Sequence, residues 1–293
     1  MLLSSLLLLL GAAVLHAVAN VLMKQSRDKM AFVWWMIGSF CVLGSPALLQ
    51  FSSVPPGAWR FVIASGMLEA IYFFTLTRAY TSGDLSLVYP IARGSAPLFL
   101  LIWAVLFLNE RPSWIGVCGI LLVVIGLYLI NLPSLSAWSR PLHAFRSDAS
   151  RWALLTGILI STYSTIDKIG IQYFSPLVYL YLILLVSWAC MSIQWFFPSR
   201  RFYLLEEIRK AEGEKRSRFV SIFAAAMSGC IGYLLVLAAL RLTPVSYVGP
   251  VREVSVVFGT IIGVRYLGEQ GGSLRIAASA LVTVGIALIA IFG

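Results

Sequence analysis

Apolar residues along this chain fall into runs of about twenty, the length that crosses the hydrocarbon core of a bilayer at 1.5 Å per residue. Ten runs are readable, at roughly 2–23, 31–51, 57–80, 85–108, 112–131, 151–171, 175–197, 218–240, 245–267 and 272–292. Short links join most of them, and two longer links cover 132–150 and 198–217. The first of these divides the runs five and five. An odd number of crossings per half turns the second half over relative to the first. The pattern predicts an all-α polytopic membrane protein, ten transmembrane helices as two inverted five-helix repeats. Residues 1–131 form the first repeat, 132–150 the inter-repeat loop and 151–293 the second repeat. The opening run has no basic start and continues to Met23 before a charge, so it reads as a membrane helix rather than a signal peptide.

Two runs break the apolar pattern in matching places. Leu85 to Glu110 carries Pro90 and Arg93 in its first half. Shifted by 160 positions, Pro90 falls on Pro250, Val88 on Val248, Ser86 on Ser246 and Arg93 on Glu253, with Arg252 beside it. Proline removes an intrahelical hydrogen bond. A charge at the bilayer centre costs about 3 kcal/mol on insertion scales. Broken, charged helices in corresponding halves point to a ligand site at the repeat interface. Pro46 and Pro97 are further candidate bends.

Glu69 in the third run joins Arg93, Arg252 and Glu253 as a charge that must avoid lipid. Arg252 and Glu253 are adjacent, so their side chains diverge by about 100° and each needs another partner. Arg93 and Glu253, at matching positions, are expected near the pseudo-twofold axis. The four are expected to form a network around a cavity, with an arginine fork open to a carboxylate or phosphonate, or else a purely architectural cluster. Glu69 and Glu253 are the candidate proton carriers. Tyr72, Tyr89, Tyr163, Tyr233 and Tyr247 are candidate cavity hydroxyls or packing aromatics. His16 and Asn20 share a face of the first run with Lys24, either lining the cavity or bonding between helices. The candidate substrate-binding set is Glu69, Tyr72, Tyr89, Arg93, Asn20, Tyr163, Arg252 and Glu253. Asp167 and Lys168 are expected to snorkel to the interface, and Glu110 and Glu269 to complement the dipoles of the runs that follow them.

Composition agrees: 60% hydrophobic, 12% charged, mean hydropathy +0.90. That excludes an ordinary soluble domain. The net charge of +10 resides mostly in short loops, which lipid headgroups and topology account for better than nucleic acid does. Basic residues cluster after the first, fifth and seventh runs, among them Lys24, Arg140, Arg200 and Arg216, which places both termini on the non-cytoplasmic side. The 198–217 link reads as a plain cytoplasmic loop, with a short amphipathic helix carrying Glu206 and Lys210 at i,i+4 and a regulatory or lipid-binding role as the alternative. Trp34, Trp35, Trp59, Trp114 and Trp152, at run starts, are expected in the interfacial belt. Cys41, Cys118, Cys190 and Cys230 lie inside apolar runs without CxxC spacing, so neither a disulfide framework nor a metal site is expected. Gly259 and Gly263 form a GxxxG, an intramolecular seam or a homodimer face.

HAVANVLMK with its counterpart STIDK, the proline-bearing starts of the fourth and ninth runs, and LNERPSWIG with LGEQGGSLR resemble the drug/metabolite transporter superfamily, EamA type. The opening is similar to a subgroup associated with phosphonate utilisation. The resemblance covers nearly the whole chain. It implies a bacterial inner-membrane secondary transporter that moves a small polar metabolite by alternating access, with no cofactor and with the bilayer as its surroundings. Most relatives have a basic loop after the second run and both termini in the cytoplasm; SSVPPGAW and the basic residues here depart from both. Paired Arg and Glu suit a zwitterion or organic anion such as an amino acid or phosphonate, coupled to protons or exchange. A flippase for lipid-linked substrates or a non-transporting accessory protein is the alternative. A membrane enzyme is disfavoured, since HExxH, GxSxG and clustered His or Cys are missing.

Overall fold

The structure is a computed structural model describing residues 1–24, 26–51, 53–82, 85–130, 132, 147–209, 215–257 and 272–293. The described residues are almost all helical, with no strand among them. In the first half come α1 (Leu3–Lys24), α2 (Lys29–Leu43), α3 (Trp59–Ser82), α4 (Leu85–Leu108) and α5 (Trp114–Ile130). The second half holds α6 (Asp148–Gly170), α7 (Pro176–Met191), α8 (Pro198–Arg209), α9 (Lys215–Leu242), α10 (Val245–Arg252) and α11 (Gly272–Phe292). Among the described residues, six stretches, in α1, α3, α4, α7, α9 and α11, are long and apolar enough to cross a membrane; α2 and α5 are shorter apolar helices.

The helices turn apolar faces to lipid and smaller or polar faces inward. On α3, Ile63, Met67, Ile71 and Phe74 form an outward stripe, each more than two-fifths exposed, while Ser65, Glu69 and Thr75 on the other side are buried. With no water outside to drive apolar burial, close packing and hydrogen bonds hold such faces together. The same logic explains α6, whose sequence is the least apolar of the long inner helices. Its Thr156, Ser161, Ser164, Thr165 and Asp167 are all buried.

The packing obeys a twofold exchange of the halves. α1 packs on α9 as α6 packs on α3, α3 on α7 as α9 on α2, and α4 on α6 as α10 on α1. Three pairs map onto themselves, α5 with α11, α4 with α10 and α2 with α7. On the α5–α11 seam, a Cβ added to Gly119 would lie 2.7 Å from the Gly285 carbonyl, and one added to Gly285 would lie 2.6 Å from that of Gly119. Only glycine permits this reciprocal approach. The chain ends meet on one face, where the Met1 ammonium donates to the carbonyls of Ala290 at 3.1 Å and Gly293 at 2.8 Å.

Three expectations need correction. α4 is continuous through both Pro90 and Pro97, so the break expected at Pro90 does not occur. The second run is not one α-helix. It stops at Leu43, and a 3-10 segment follows over Ser45–Gln50 with Pro46 in its first turn; the seventh run ends the same way, with a 3-10 segment over Ser192–Phe196. Trp34 and Trp35 are not belt anchors. Trp34 is buried against Trp188 and Trp195 and donates to Ser192 Oγ at 2.9 Å, and Trp35 donates to the Leu204 carbonyl at 2.9 Å. Trp114, 85% exposed, does face outward.

Candidate functional site

A cavity of about 120 Å³ sits where the two halves meet. At roughly 10–15 Å³ per water on this measure, it has room for several waters or a small metabolite. α1 contributes His16 and Asn20, α3 Glu69 and Tyr72, and α4 Arg93. α6 supplies Tyr163, α9 Tyr233 and Cys230, and α10 Arg252. Met23, Met36 and Leu76 line the end toward the face where α1 finishes and α2 begins. Six of the eight candidate residues therefore lie in the cavity wall, contributed by five helices. The side chain of Tyr89 lies outside the described residues. Glu253 stands behind that wall, beside a much smaller space shared with Arg252, Ser164 and Gly249.

The local structure of α10 creates this division. The helix ends at Arg252, and the chain turns at Glu253, whose N–H donates to the Pro250 carbonyl at 3.1 Å. Arg93 Nη1 donates to Glu253 Oε1 at 3.1 Å, and the Glu253 side chain is only 2% exposed. The pair forms across matching positions of the repeats. Arg252 points the other way, into the cavity, and makes no hydrogen bond or ion pair with a described residue. Glu69 Oε2 and His16 Nε2, also on the cavity, are buried without a hydrogen-bond partner among the described residues. Among the described residues the four charges thus give one ion pair, Arg93 with Glu253, and two further groups, Arg252 and Glu69, that face the cavity.

Beyond the cavity, toward the termini, lies a cluster that the run pattern does not announce. Asp167 does not snorkel. It is fully buried and accepts hydrogen bonds from Ser65 Oγ at 2.5 Å, Tyr179 at 2.9 Å and Tyr233. The run Thr162-Tyr163-Ser164-Thr165 before it is the sequence signal that this end of α6 is an inner, polar element. Lys168 turns away, donating to the carbonyls of Leu240 at 2.5 Å and Thr243 at 2.9 Å, the orphan acceptors at the end of α9. Glu110 serves a different helix from the one expected. Its carboxylate accepts from Val245 N–H at 2.8 Å, Ser246 N–H at 3.1 Å and Ser246 Oγ at 2.6 Å, capping α10 rather than α5. Tyr247 is no cavity hydroxyl, since its oxygen accepts from the Ser113 N–H at 2.9 Å. Glu269, Gly259 and Gly263 lie outside the described residues, as does the Lys24 side chain.

Residues 3–132 and 149–291 each match the model of the EamA-like transporter family. This chain belongs to that family. The family model thus matches twice along the chain, and EamA-like proteins are membrane transporters, which makes this a multi-pass membrane protein of a transporter family. A solved structure, the crystal structure of a protein, is similar over 99% of both chains with a TM-score of 0.73 at 16% identity. At that identity the likeness is one of fold. No curated protein matches the chain.

Proposed function

We propose that this EamA-like protein is a secondary active transporter of a small polar metabolite bearing an acid group, a zwitterion or organic anion such as an amino acid or phosphonate. The observation that carries the reading is Arg252. It presents a guanidinium to the cavity with no bonded counter-ion among the described residues, while Arg93 nearby is engaged by Glu253. A planar fork of donors with no carboxylate bound to it suits a bidentate carboxylate or phosphonate. Tyr72, Tyr163 and Asn20 add hydroxyl and amide groups on the same wall, and Glu69 faces it as the group for a substrate ammonium or a coupling proton. Alternating access around this site is the mechanism. The lining extends toward the basic-loop face, which the basic residues put in the cytoplasm of a bacterial inner membrane.

A thermal-stability screen of the detergent-purified protein tests this. A ligand that binds only the native state raises the melting temperature by mass action. An amino acid, phosphonate or organic acid should stabilise the wild type, and Arg252→Ala should abolish that response. Stabilisation by quaternary cations or lipids alone would replace the anion reading with a cation carrier or a flippase.

A further inference from the structure

Asp167 is a fully buried acid at the termini end of the cavity whose setting the substrate reading leaves unused. Its three hydroxyl donors come from three helices, Ser65 of α3, Tyr179 of α7 and Tyr233 of α9. Among the described residues it forms no ion pair. One of the donors, Tyr233, also lines the cavity, so a single hydroxyl-bearing side chain joins the cavity to the carboxyl. The repeat does not demand an acid here. With Lys168 matched to Lys24, Asp167 corresponds to Met23, an apolar residue on the cavity's opposite end. The scaffold is built once with a thioether and once with a carboxyl, and the carboxyl occurs where three helices converge on the termini side.

We propose that Asp167 is a proton-binding site of the transport cycle, reached through the Tyr233 hydroxyl, and that its protonation loosens the packing of α3, α7 and α9 on one another. The proposal rests on the transporter reading. A hydronium in the cavity gives a proton to the Tyr233 oxygen as that hydroxyl passes its own proton to Asp167 Oδ2. One O–H bond forms and one breaks at tyrosine, the hydronium becomes water, and the carboxylate becomes the acid. An anionic carboxyl holds three O–H donors; a neutral one holds them less strongly and must itself donate. α3, α7 and α9 then lose a shared anchor. Other titratable and charged groups face this carboxyl. Glu69 stands on α3, Tyr179 on α7, Tyr233 on α9 and Arg252 on α10. Tyr163 lies one turn back on α6, Lys168 is turned to the Leu240 and Thr243 carbonyls, and Arg93 on α4 is bound to Glu253.

Infrared difference spectra of the purified full chain between alkaline and acid pH read the site without any substrate. The wild type should gain a protonated-carboxyl band of which one component is missing in Asp167→Asn. Amide protection factors, which take out the slower intrinsic exchange at low pH, should fall on acidification around Ser65, Tyr179 and Tyr233 in the wild type. In Asp167→Asn they should be low at every pH. Tyr233→Phe and Ser65→Ala keep the acid and should each displace its titration midpoint, which carries the test if Asp167→Asn does not fold. An unchanged band in Asp167→Asn, or unmoved midpoints in both hydroxyl variants, overturns the proposal and makes the cluster architecture. That failure leaves the transporter reading standing, because the reading is decided by the ligand response of Arg252→Ala.

Discussion

Helices α4 and α10 hold corresponding places in the two halves and carry proline at the same depth, the sixth residue in each. One continues for 24 residues and the other turns at Glu253. Proline therefore does not decide which helix breaks. The difference lies three residues later, where the first half has Arg93 within a continuing helix and the second has Glu253 in a turn. That turn sends Arg252 into the cavity and Glu253 back to Arg93. The comparison separates two contributions. The repeat supplies the location at the axis, and departures from the repeat supply the chemistry. Met23 against Asp167 is a second departure of the same kind.

If the axis pair is held by complementary charge, breaking it should give the largest effect. Arg93→Ala removes the ion-pair partner of Glu253, which is 2% exposed, and breaking a buried pair in this way costs about 3–5 kcal/mol. Glu253→Ala should cost less, because the Arg93 side chain is 18% exposed and can reach cavity water. Unfolding in detergent, followed by circular dichroism, measures both. The exchanged variant Arg93→Glu/Glu253→Arg should recover most of the loss, since the positions are related by the twofold. A swap as unstable as the worse single change would show that the local turn, and not the charge pair, holds α4 and α10 together.

The α5–α11 seam sharpens the symmetry side of the comparison. Each glycine, 119 and 285, meets the other's carbonyl, so Gly119→Ala and Gly285→Ala should each cost about 1–3 kcal/mol by overpacking. Equal costs are the signature of a true twofold contact. Melting temperatures that differ widely between the two would make the resemblance of the halves one of sequence only.

How much of this is legible in the chain depends on which forces a sequence displays. Bilayer thickness writes itself into run length, so the all-helical membrane fold can be read directly, and a shift of 160 residues by itself aligns Arg93 with Glu253. Tertiary hydrogen bonding leaves no such trace. Glu110 precedes α5 in the chain but caps α10, because the nearest orphan N–H groups in space belong to another helix. Trp34 begins a run as an anchor would, yet the docking of the seventh run's end buries it. Asp167 reads as an interfacial charge because Lys168 follows it. Only the three hydroxyls from other helices reveal that adjacent residues face opposite environments.

The smallest expected effect concerns an element that only the second half possesses. α8 has no α-helical counterpart in the link that leads to α3, and it docks on the start of α2. Arg200 donates to both Asp28 oxygens, at 2.9 and 3.1 Å, and the Asp28 N–H donates to Glu207 at 3.2 Å. The Arg200–Asp28 pair is partly exposed, at 33% and 20%, so Arg200→Ala should cost about 0.2–1 kcal/mol. Asp28 has a second task, since its Oδ1 accepts the Ala31 N–H at 2.8 Å as the N-cap of α2. Asp28→Ala should therefore cost about 1 kcal/mol more than Arg200→Ala, whereas Asp28→Asn keeps an oxygen for the cap and should match Arg200→Ala. High salt should erase the Arg200 effect and leave the cap effect in place. If all three variants melt together at every salt concentration, α8 is held by Leu204 packing and the Trp35 bond, and its charges contribute nothing to the docking.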